Sequence, residues 1–407
     1  MDNTSMNKKT LLLLGGIRYL LPVITAAHRE GYYVITADYL PDNIAHKYSD
    51  EYVNVSIVDK EAVLKVAREH KIDGIMSFGV DPGVVTAAYV AEQMGLPSVG
   101  PYSSVDILQH KDKFRAFLTE NGFNVPWSYG FGSVEEAWKN RASIQYPAMV
   151  KPTDSAGSKG CSKVDDESEL HGALVNASKF SLCGRIVVEE YLQAKGFSSD
   201  SDCYSRDGKL EFVSFNSQRF DAQAWNPFTP AGYLLPSSFS EEEEKYLTSE
   251  IQRLIGLLGM GTAVYNVETR VCENGKPYIM ELSPRGGGNR LCEMLRYATG
   301  VDLISAMTRA AVGDDPGVVV QKGYEGHWAE VIVHSDNPGV FEALKISEDI
   351  PAEVVETDLW VKPGDYVNGF NGANDSIGTI VLRFVDNAGM EQVMADLSSW
   401  IRVEIVS

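Results

Sequence analysis

Residues 262–289 read "TAVYNVETRVCENGKPYIMELSPRGGGN", and this stretch decides which fold the chain can adopt. Asn274-Gly275 separates two runs of strand-forming residues, and this dipeptide is typical of a hairpin closed by a two-residue turn. Such a turn fixes the pairing register, so that Glu268 faces Glu281 directly across the two strands. The stretch therefore predicts an antiparallel hairpin with one apolar face and one polar face.

The polar face of this hairpin has the composition of a metal site. Asn266 lies opposite Ser283 in the same register, Arg270 is on the same face, and Arg285 follows the strand end. Two directly opposed carboxylates repel each other on a sheet, and burial would force one of them to stay protonated. A divalent cation removes this conflict, and Mg²⁺ commonly takes one or two protein carboxylates. The competing interpretation is a solvent-facing sheet whose glutamates pair with lysines.

Length, charge and cysteine count narrow the class of protein. The chain has 407 residues, a net charge of −20 and five cysteines. This length predicts two or three domains. The negative charge argues against a nucleic-acid or anionic-membrane surface, because both need a basic patch. An odd number of cysteines without a Cys-x-x-Cys motif indicates free thiols in a reducing compartment.

The N-terminal apolar run predicts a core strand rather than a signal peptide. Gly15-Gly16 and Arg18 interrupt the run, and no small-residue cleavage site follows it. No apolar stretch of the chain reaches the length of a membrane span. We therefore expect a cytoplasmic protein that binds neither nucleic acid nor membranes.

Residues 10–101 alternate short apolar runs with helical patterns. A repeated strand–helix pattern of this kind predicts a parallel sheet with helices on both faces. Ligands of such sheets bind at the carboxyl ends of the strands, where Gly15-Gly16 and residues 79–83 fall. Alternating strands follow at 147–230, and the chain beyond 322 is mostly strand-like.

Two further segments have compositions that suit an anionic ligand. "VKPTDSAGSKG" at 150–160 places Lys151 at a strand end and then a small-residue loop, whose backbone amides could approach phosphate oxygens. It is not a Walker A motif, and a mobile hairpin tip is the competing interpretation. Arg219 in "NSQRF" either holds an anionic group or is an exposed strand arginine. From spacing alone, Lys113 is a solvated helix lysine.

Taken in order, Lys113, Lys151 with its glycine loop, "VEEYL" at 188–192, Glu268 and "MELSPRGGG" at 280–288 resemble the ATP-grasp superfamily. The resemblance covers most of the chain and is nearest to the carbamoyl-phosphate-synthase-like, biotin-carboxylase-like and amino-acid-ligase branches. It implies a mixed α/β and α+β fold: a Rossmann-like preATP-grasp domain, an ATP-grasp lid and central domain, and a C-terminal, mostly β extension.

The expected boundaries follow from that resemblance. The Rossmann-like domain spans 1–110, the ATP-grasp domain spans 111–320 with its lid at roughly 125–192, and the C-terminal α+β subdomain spans 321–407. Dimerisation to a homodimer rests on the resemblance alone.

The resemblance also implies which residues bind ATP. They are Lys113, Lys151, Ser155, Gly157, Ser158, Gly160, Glu189, Glu190, Leu192 and Asp200. The lysines hold the phosphates, the loop at 154–160 closes over them, and the glutamates and leucine of "VEEYL" follow the adenine hinge. A strand end that reaches water is the competing interpretation of these glutamates. Asp200 substitutes for a ribose-binding glutamate that the family has near Gly196.

The metal and catalytic residues are implied in the same way. Glu268 and Glu281 bind one or two Mg²⁺ ions, for which Mn²⁺ often substitutes. Ser283 occupies a position where the family often has asparagine as a third metal ligand. Arg285 is the implied catalytic residue, since it steadies the transferring phosphoryl group.

The expected reaction is ADP-forming ligation of a small-molecule carboxylate and an amine through an acyl-phosphate. Arg219 and Asn289 are assigned to the substrate, and residues 214–236 are expected to help line its pocket. A bicarbonate-activating carboxylase on the same scaffold is one alternative. An NAD-dependent oxidoreductase using Gly15-Gly16 and Asp38 is another, although the full Gly-x-Gly-x-x-Gly is missing. A nucleotide-binding module without catalysis is the third.

Overall fold

A computed structural model describes residues 8–155 and 157–406 of the chain. Residues 1–7, Ala156 and Ser407 lie outside the described residues. The predictions for the start of the first domain, for Ala156 in the loop at 154–160 and for the end of the C-terminal subdomain therefore lie outside them as well. Among the described residues, no helix combines the length and apolar character needed to cross a membrane.

The chain begins with a parallel four-stranded sheet in the order β3-β2-β1-β4. Its strands are β1 (Thr10–Leu14), β2 (Tyr33–Asp38), β3 (Glu51–Asn54) and β4 (Gly74–Ser77), and its helices are α1 (Leu21–Arg29), α2 (Lys60–His70) and α3 (Asp81–Met94). The leucines of β1 at 11–14 are fully buried, as expected for a central strand covered on both faces. The carboxyl ends of β1 and β4 lead into the site described below.

Two helices then lead to a separate antiparallel sheet in the order β5-β8-β6-β7. These elements are α4 (Tyr102–Gln109), α5 (Lys111–Glu120), β5 (Ser128–Phe131), α6 (Val134–Lys139), β6 (Ala148–Pro152), β7 (Ser162–Val164), α7 (Glu167–Phe180) and β8 (Ile186–Glu190). The sheet and the helices α6 and α7 enclose an apolar core of their own. This unit coincides with the region predicted as the lid, and its closing motion stays a prediction.

The central part of the chain forms a second antiparallel sheet, in the order β10-β9-β13-β14. Its elements are β9 (Ser199–Arg206), β10 (Lys209–Phe212), β11 (Ser217–Phe220), β12 (Pro230–Leu235), α8 (Glu241–Leu257), β13 (Ala263–Val271), β14 (Pro277–Ser283), α9 (Leu291–Thr299) and α10 (Leu303–Ala311). Helix α8 packs its apolar side against this sheet and begins at a capping box formed by Ser240 and Glu243.

The hairpin β13–β14 pairs Glu268 with Glu281 and Asn266 with Ser283, as predicted. The predicted two-residue turn is wrong, however. The Cys272 N–H donates to the Lys276 carbonyl, so three residues form the loop, with Gly275 in the left-handed region at φ 76°. A β-bulge between the glutamate pair and the Thr269–Ile279 pair shifts the register back by one residue. The two deviations cancel at the site.

The C-terminal part adds β15 (His327–Val333), β16 (Gly339–Ile346), β17 (Glu353–Leu359), β18 (Tyr366–Val367), β19 (Gly378–Phe384), α11 (Asn387–Ala395) and β20 (Ile401–Val406). Three strands of this part join β11 and β12 in one sheet, ordered β11-β12-β15-β19-β17. The chain on the two sides of residue 320 therefore shares a sheet, and the domain boundary there stays a prediction. The predicted fold class is confirmed, since a parallel α/β sheet precedes antiparallel sheets and helices.

Candidate active site

A cavity of about 290 Å³ lies between the parallel sheet, the β5–β8 sheet and the central sheet. It is lined by side chains from all three and by the loop that follows β14. Its charged side chains belong to Asp81, Lys111, Lys151, Lys159, Asp200, Glu268, Arg270, Glu281 and Arg285. Both signs of charge are concentrated here, as they must be in a site that holds phosphates together with a divalent cation.

Lys111, at the start of α5, is the lysine of this helix that reaches the cavity. Its Nζ lies 2.9 Å from Glu281 Oε1 and 3.2 Å from the Ser155 carbonyl oxygen. Burial alone would lower the pKa of Lys111, but the attraction of the Glu281 carboxylate outweighs it and holds that pKa above its ordinary value. The lysine is therefore charged and positioned between the β6–β7 loop and β14.

The prediction that Lys113 binds phosphate is not supported by its position. Its Nζ lies 2.6 Å from Asp106 Oδ2 on a half-exposed surface, away from the cavity. Residues two positions apart on a helix point about 200° away from each other, so only one of the two lysines can face the site. Sequence spacing did not indicate which one.

Lys151 lines the cavity at the end of β6 and is held from behind by Glu189. The Glu189 carboxylate lies 2.7 Å from Lys151 Nζ and 2.8 Å from Arg115 Nε, with Glu189 and Arg115 almost completely buried. Burial would raise the pKa of Glu189, but Arg115 and Lys151 together hold it well below its usual range. Arg115 also donates to the Met280 carbonyl at 2.8 Å, beside the β-bulge.

The Glu189 carboxylate is therefore committed to two cations, and its predicted place along an adenine hinge concerns its backbone. The side chains of Glu190 and Leu192 do not line the cavity. Leu192 is buried in a small apolar cluster with Cys272, Tyr278 and Met280. Their backbone remains a predicted adenine hinge, and Met149 on β6 is the nearby side chain that does line the cavity.

The loop after β6 reaches the cavity at Ser155, Gly157 and Ser158. Ser158 donates its hydroxyl to the Phe228 carbonyl at 2.9 Å, which ties the loop to the β11–β12 connection. Gly160 does not line the cavity. It has φ 75°, and a Cβ there would lie 3.0 Å from Phe180, so glycine is needed for the shape of the loop.

Three carboxylates form a row across the central sheet. Asp200 on β9 pairs with Glu268 on β13, which in turn pairs with Glu281 on β14, and all three line the cavity. Burial and the neighbouring Glu268 carboxylate raise the pKa of Asp200 to about 7. This crowding of acids is the condition that a bound divalent cation relieves, so the row fits a magnesium or manganese site.

Asp200 was predicted to bind ribose, and the structure places it in this acidic row instead. It accepts hydrogen bonds from Asn266 Nδ2 at 2.7 Å and from the Tyr233 hydroxyl at 3.2 Å. Its position depends on how β9 pairs with β13, a contact between segments more than sixty residues apart. Local sequence patterns do not encode that register.

Ser283 and Arg285 are organised by Asp81, at the start of α3. The Ser283 hydroxyl donates to Asp81 Oδ1 at 2.8 Å and accepts from Gln109 Nε2 at 2.8 Å. Arg285 makes a two-point contact with the same carboxylate, at 2.8 and 2.7 Å. The hydroxyl predicted to bind metal is therefore used to position Asp81, although one of its lone pairs is left over.

The glycine-rich loop after Arg285 is fixed by a buried carboxylate. The Gly287 N–H donates to Asp202 at 2.9 Å, and Cys292 donates its thiol to the same side chain. Asn289, which was assigned to the substrate, is buried, lines the cavity and accepts a hydrogen bond from the Tyr19 hydroxyl. The loop is consequently ordered rather than freely mobile.

Arg219 does not reach the cavity, contrary to its predicted substrate role. Its guanidinium lies 2.7 Å from Glu391 on α11 and stacks over Phe197. Side chains alternate along a strand, so Gln218 and Phe220 point into the cavity where Arg219 points away.

The parallel sheet does not provide a dinucleotide site at its glycine pair. The position that a Cβ of Gly16 would occupy is already filled by the side chains of His46 and Asn43. Asp38 is buried, accepts the Leu40 N–H at 2.9 Å and does not line the cavity. Neither observation supports the oxidoreductase alternative.

Residues 144–293 match the family model of the ATP-grasp domain, a region that contains Lys151, the acidic row and Arg285. The carbamoyl phosphate synthase large chain of Thermotoga neapolitana is 25% identical over 293 residues, which cover 71% of this chain and 26% of that protein. The match thus spans about a quarter of the relative's length. Residues 144–293 are thus assigned to the ATP-grasp domain family.

Two solved structures show how far the fold extends. The L-amino acid ligase of Bacillus licheniformis has a TM-score of 0.82 at 21% identity, covering 98% of this chain and 99% of that one. The biotin carboxylase domain dimer of the Hydrogenobacter thermophilus 2-oxoglutarate carboxylase, in complex with MgADP and bicarbonate, has a TM-score of 0.74 at 17% identity and covers 98% and 91%. At these identities the likeness establishes the fold.

Proposed function

We propose that this protein is an ADP-forming ligase that uses ATP and Mg²⁺ to activate a carboxylate as an acyl-phosphate and joins it to an amine. The observation that carries the proposal is the acidic row Asp200, Glu268 and Glu281, with the cations of Lys111 and Arg285 beside it. Similarity to ATP-grasp enzymes supports the class of reaction.

Each part of the cavity has a role in this reaction. The acidic row would hold magnesium or manganese, which offsets phosphate charge when it is bound. Lys111 and Lys151 bind phosphate oxygens, and the loop at 154–160 covers them and excludes water. Arg285 stabilises the negative charge that develops on the transferred phosphoryl group.

The chemistry needs two displacements in sequence. A carboxylate oxygen attacks the γ-phosphorus of ATP and ADP leaves. The amine nitrogen then attacks the acyl carbon. The C–O bond to the phosphate breaks, and inorganic phosphate leaves with its electron pair. Asp81 keeps Arg285 aimed at the reacting group through both steps, because its two-point contact fixes the guanidinium. By analogy with the dimeric biotin carboxylase domain, we also propose a homodimer.

The proposal is tested by measuring Mg²⁺-dependent ADP release with carboxylates, amines and bicarbonate as co-substrates. We expect release to require one carboxylate together with one amine and to be lost in Glu281→Gln. Glu273→Gln, in the exposed turn of the same hairpin, is the matched control and should retain activity. Release that needs bicarbonate alone would indicate a carboxylase. ATP binding without release under any condition would indicate a nucleotide-binding module.

A further inference from the structure

A histidine and two aspartates lie together at the carboxyl end of β15, and none of them lines the cavity described above. They are Asp221, which follows β11, and His334 and Asp336, which follow β15, and we call these three residues the Asp–His–Asp cluster. One ligand atom of each lies within 4.8 Å of those of the other two. Asp221 and His334 are 113 positions apart, so the cluster exists only in the folded chain.

The imidazole ring of His334 is oriented by groups outside the cluster. Its Nδ1 lies 2.7 Å from the Ile332 carbonyl oxygen, which can only accept, so Nδ1 carries a proton and donates it. The ring stacks on Phe370 with the centroids 4.0 Å apart, and 11% of the side chain is exposed. The second nitrogen, Nε2, therefore faces the two carboxylates. A ring nitrogen that donates to a carbonyl while the other faces anionic oxygens is the usual arrangement of a metal-binding histidine.

The contact between His334 and Asp221 needs a positive charge between its two atoms. Nε2 lies 3.1 Å from Asp221 Oδ2, and in the neutral ring both atoms present lone pairs. Burial would raise the pKa of Asp221, but its contacts with the Gln223 N–H and with His334 hold that pKa below its ordinary value, so the carboxylate is charged. Among the described residues, no lysine or arginine forms an ion pair with Asp221 or Asp336. A proton on Nε2 or a bound cation must supply the charge.

The spacing and the kinds of atom suit a transition-metal ion. Two atoms bound to one ion at about 2.0–2.2 Å lie about 2.8–3.6 Å apart, and the separation of Asp221 Oδ2 from His334 Nε2 falls in this range. Asp336 is exposed, so its side chain can turn towards the ion. An imidazole nitrogen is a good ligand for zinc and its neighbours in the first transition row, whereas Mg²⁺ and Ca²⁺ take oxygen ligands.

The cluster lies beside a segment that contributes to the cavity. The chain after Asp221 connects β11 to β12 and carries Phe228, which lines the cavity. Two backbone hydrogen bonds already hold this connection against the C-terminal part: the Trp225 N–H donates to the Phe370 carbonyl at 3.1 Å, and the Phe370 N–H donates to the Ser335 carbonyl at 2.9 Å. An ion in the cluster adds a direct link between the same segments.

We propose that the Asp–His–Asp cluster binds a divalent first-row transition-metal ion such as zinc, through carboxylate oxygens of Asp221 and Asp336 and through Nε2 of His334. The bound ion fixes the β11–β12 connection to the end of β15. The site is separate from the acidic row, to which the proposed ligase function assigns magnesium or manganese, so the inference does not rest on that function.

The test is calorimetric titration of the full chain with Zn²⁺, after metal ions have been removed with a chelator and in the presence of excess Mg²⁺. We expect a bound zinc ion whose dissociation constant rises at least about tenfold in His334→Gln and in Asp336→Asn, because each variant removes one ligand. Asp336 is exposed, so Asp336→Asn tests the site even if His334→Gln disturbs folding.

Two control variants show whether the zinc ion is held by this cluster. His28 pairs with the single carboxylate of Asp50 at 3.0 Å, and His28→Gln should change the dissociation constant less than about twofold. Glu281→Gln alters the acidic row and should retain the zinc ion of the cluster. Its retention there makes the result independent of whether the ligase proposal holds.

Hydrogen exchange measured with and without zinc locates the ion. Zinc should slow amide exchange in residues 221–229 and 334–337 of the wild type and leave both segments unchanged in His334→Gln. Zinc binding that survives both ligand variants, that is lost in Glu281→Gln, or that protects only other segments would overturn the inference. The absence of zinc binding in excess Mg²⁺ would do so too, and would leave His334 and Asp221 as a proton-mediated ion pair.

Discussion

The guanidinium of Arg285 lies against the carboxylate of Asp81, with Nη2 2.7 Å from Oδ2 and Nε 2.8 Å from Oδ1. The two residues are 204 positions apart, Asp81 at the start of α3 and Arg285 in the loop after β14. Burial alone would lower the pKa of Arg285, but the Asp81 carboxylate outweighs it and raises that pKa further above its ordinary value. The N-terminal α/β unit thus orients the arginine for which we propose the catalytic role.

Asp81→Asn is expected to lower kcat by about tenfold or more, because Arg285 loses the charged partner that aims it at the developing phosphoryl charge. The KM for ATP should change little, since Lys111 and Lys151 are untouched. Steady-state kinetics give both values. Glu61→Gln, which alters an exposed hydrogen bond to Tyr89 in the same sheet region, is the control and should behave as wild type.

Lys111→Met and Lys113→Met form a matched pair that tests which lysine binds phosphate. We expect the dissociation constant of MgATP to rise about tenfold or more in the first variant, because a charged phosphate contact is lost. It should change less than about twofold in the second, whose lysine makes an exposed ion pair with Asp106. Calorimetry measures both. The opposite order would restore the sequence-based assignment.

Arg115→Met should lower the free energy of unfolding by about 2–3 kcal/mol, since the buried Glu189 carboxylate keeps Lys151 but loses its second cation, and the Met280 carbonyl loses its donor. Arg141→Met is the control, because its pair with Glu167 is exposed and should contribute less than about 1 kcal/mol. Urea unfolding followed by fluorescence compares the two. Equal losses of the free energy of unfolding in the two variants would mean that the buried pair contributes no more than the exposed one.

Stability should decline in acid as Glu189 becomes protonated. Its folded pKa lies below the ordinary value of 4.5, so its contribution is fully present above that pH and is lost as the pH falls towards the folded pKa. Melting temperatures between pH 7 and pH 3 should therefore fall steeply below about pH 4.5 in the wild type. Glu189→Gln, which has no proton to gain there, should melt lower at pH 7 and show a shallower decline. If the melting temperatures of the two proteins fell in parallel with pH, Glu189 would not be the group whose protonation destabilises the fold.

The sequence pattern predicted the pairing of Glu268 with Glu281 and of Asn266 with Ser283, and the structure confirms both pairs. Within each strand the two residues share a face because side chains alternate, but bringing the two strands' residues to the same face depends on the pairing register. The three-residue loop would have displaced the pairs by one position, and the β-bulge beside Met280 restores them. Nothing in the sequence pattern indicated that the bulge would cancel the effect of the longer loop on the register.

Contacts across long separations were beyond sequence reasoning. The acidic row needs the β9–β13 register to bring Asp200 beside Glu268, and the orientation of Arg285 needs Asp81 from helix α3. Arg219 was assigned to the substrate because of its charge, but its position on β11 directs the side chain towards Glu391. In the same way, the position of each lysine around α5 decides that Lys111 reaches the cavity and Lys113 does not. In each case the residue type indicated the kind of contact, and the packing of the elements decided which of the candidate residues makes it.

The β12–β15 pairing limits how this protein can be divided for engineering. A chain shortened at residue 320 would keep β11 and β12 and lose the three strands that continue their sheet. The β12 backbone groups from Gly232 to Leu235 would then form an open edge, which readily recruits strands from other molecules. Such a fragment should self-associate, so moving the β11–β12 hairpin between relatives would require moving the C-terminal strands with it.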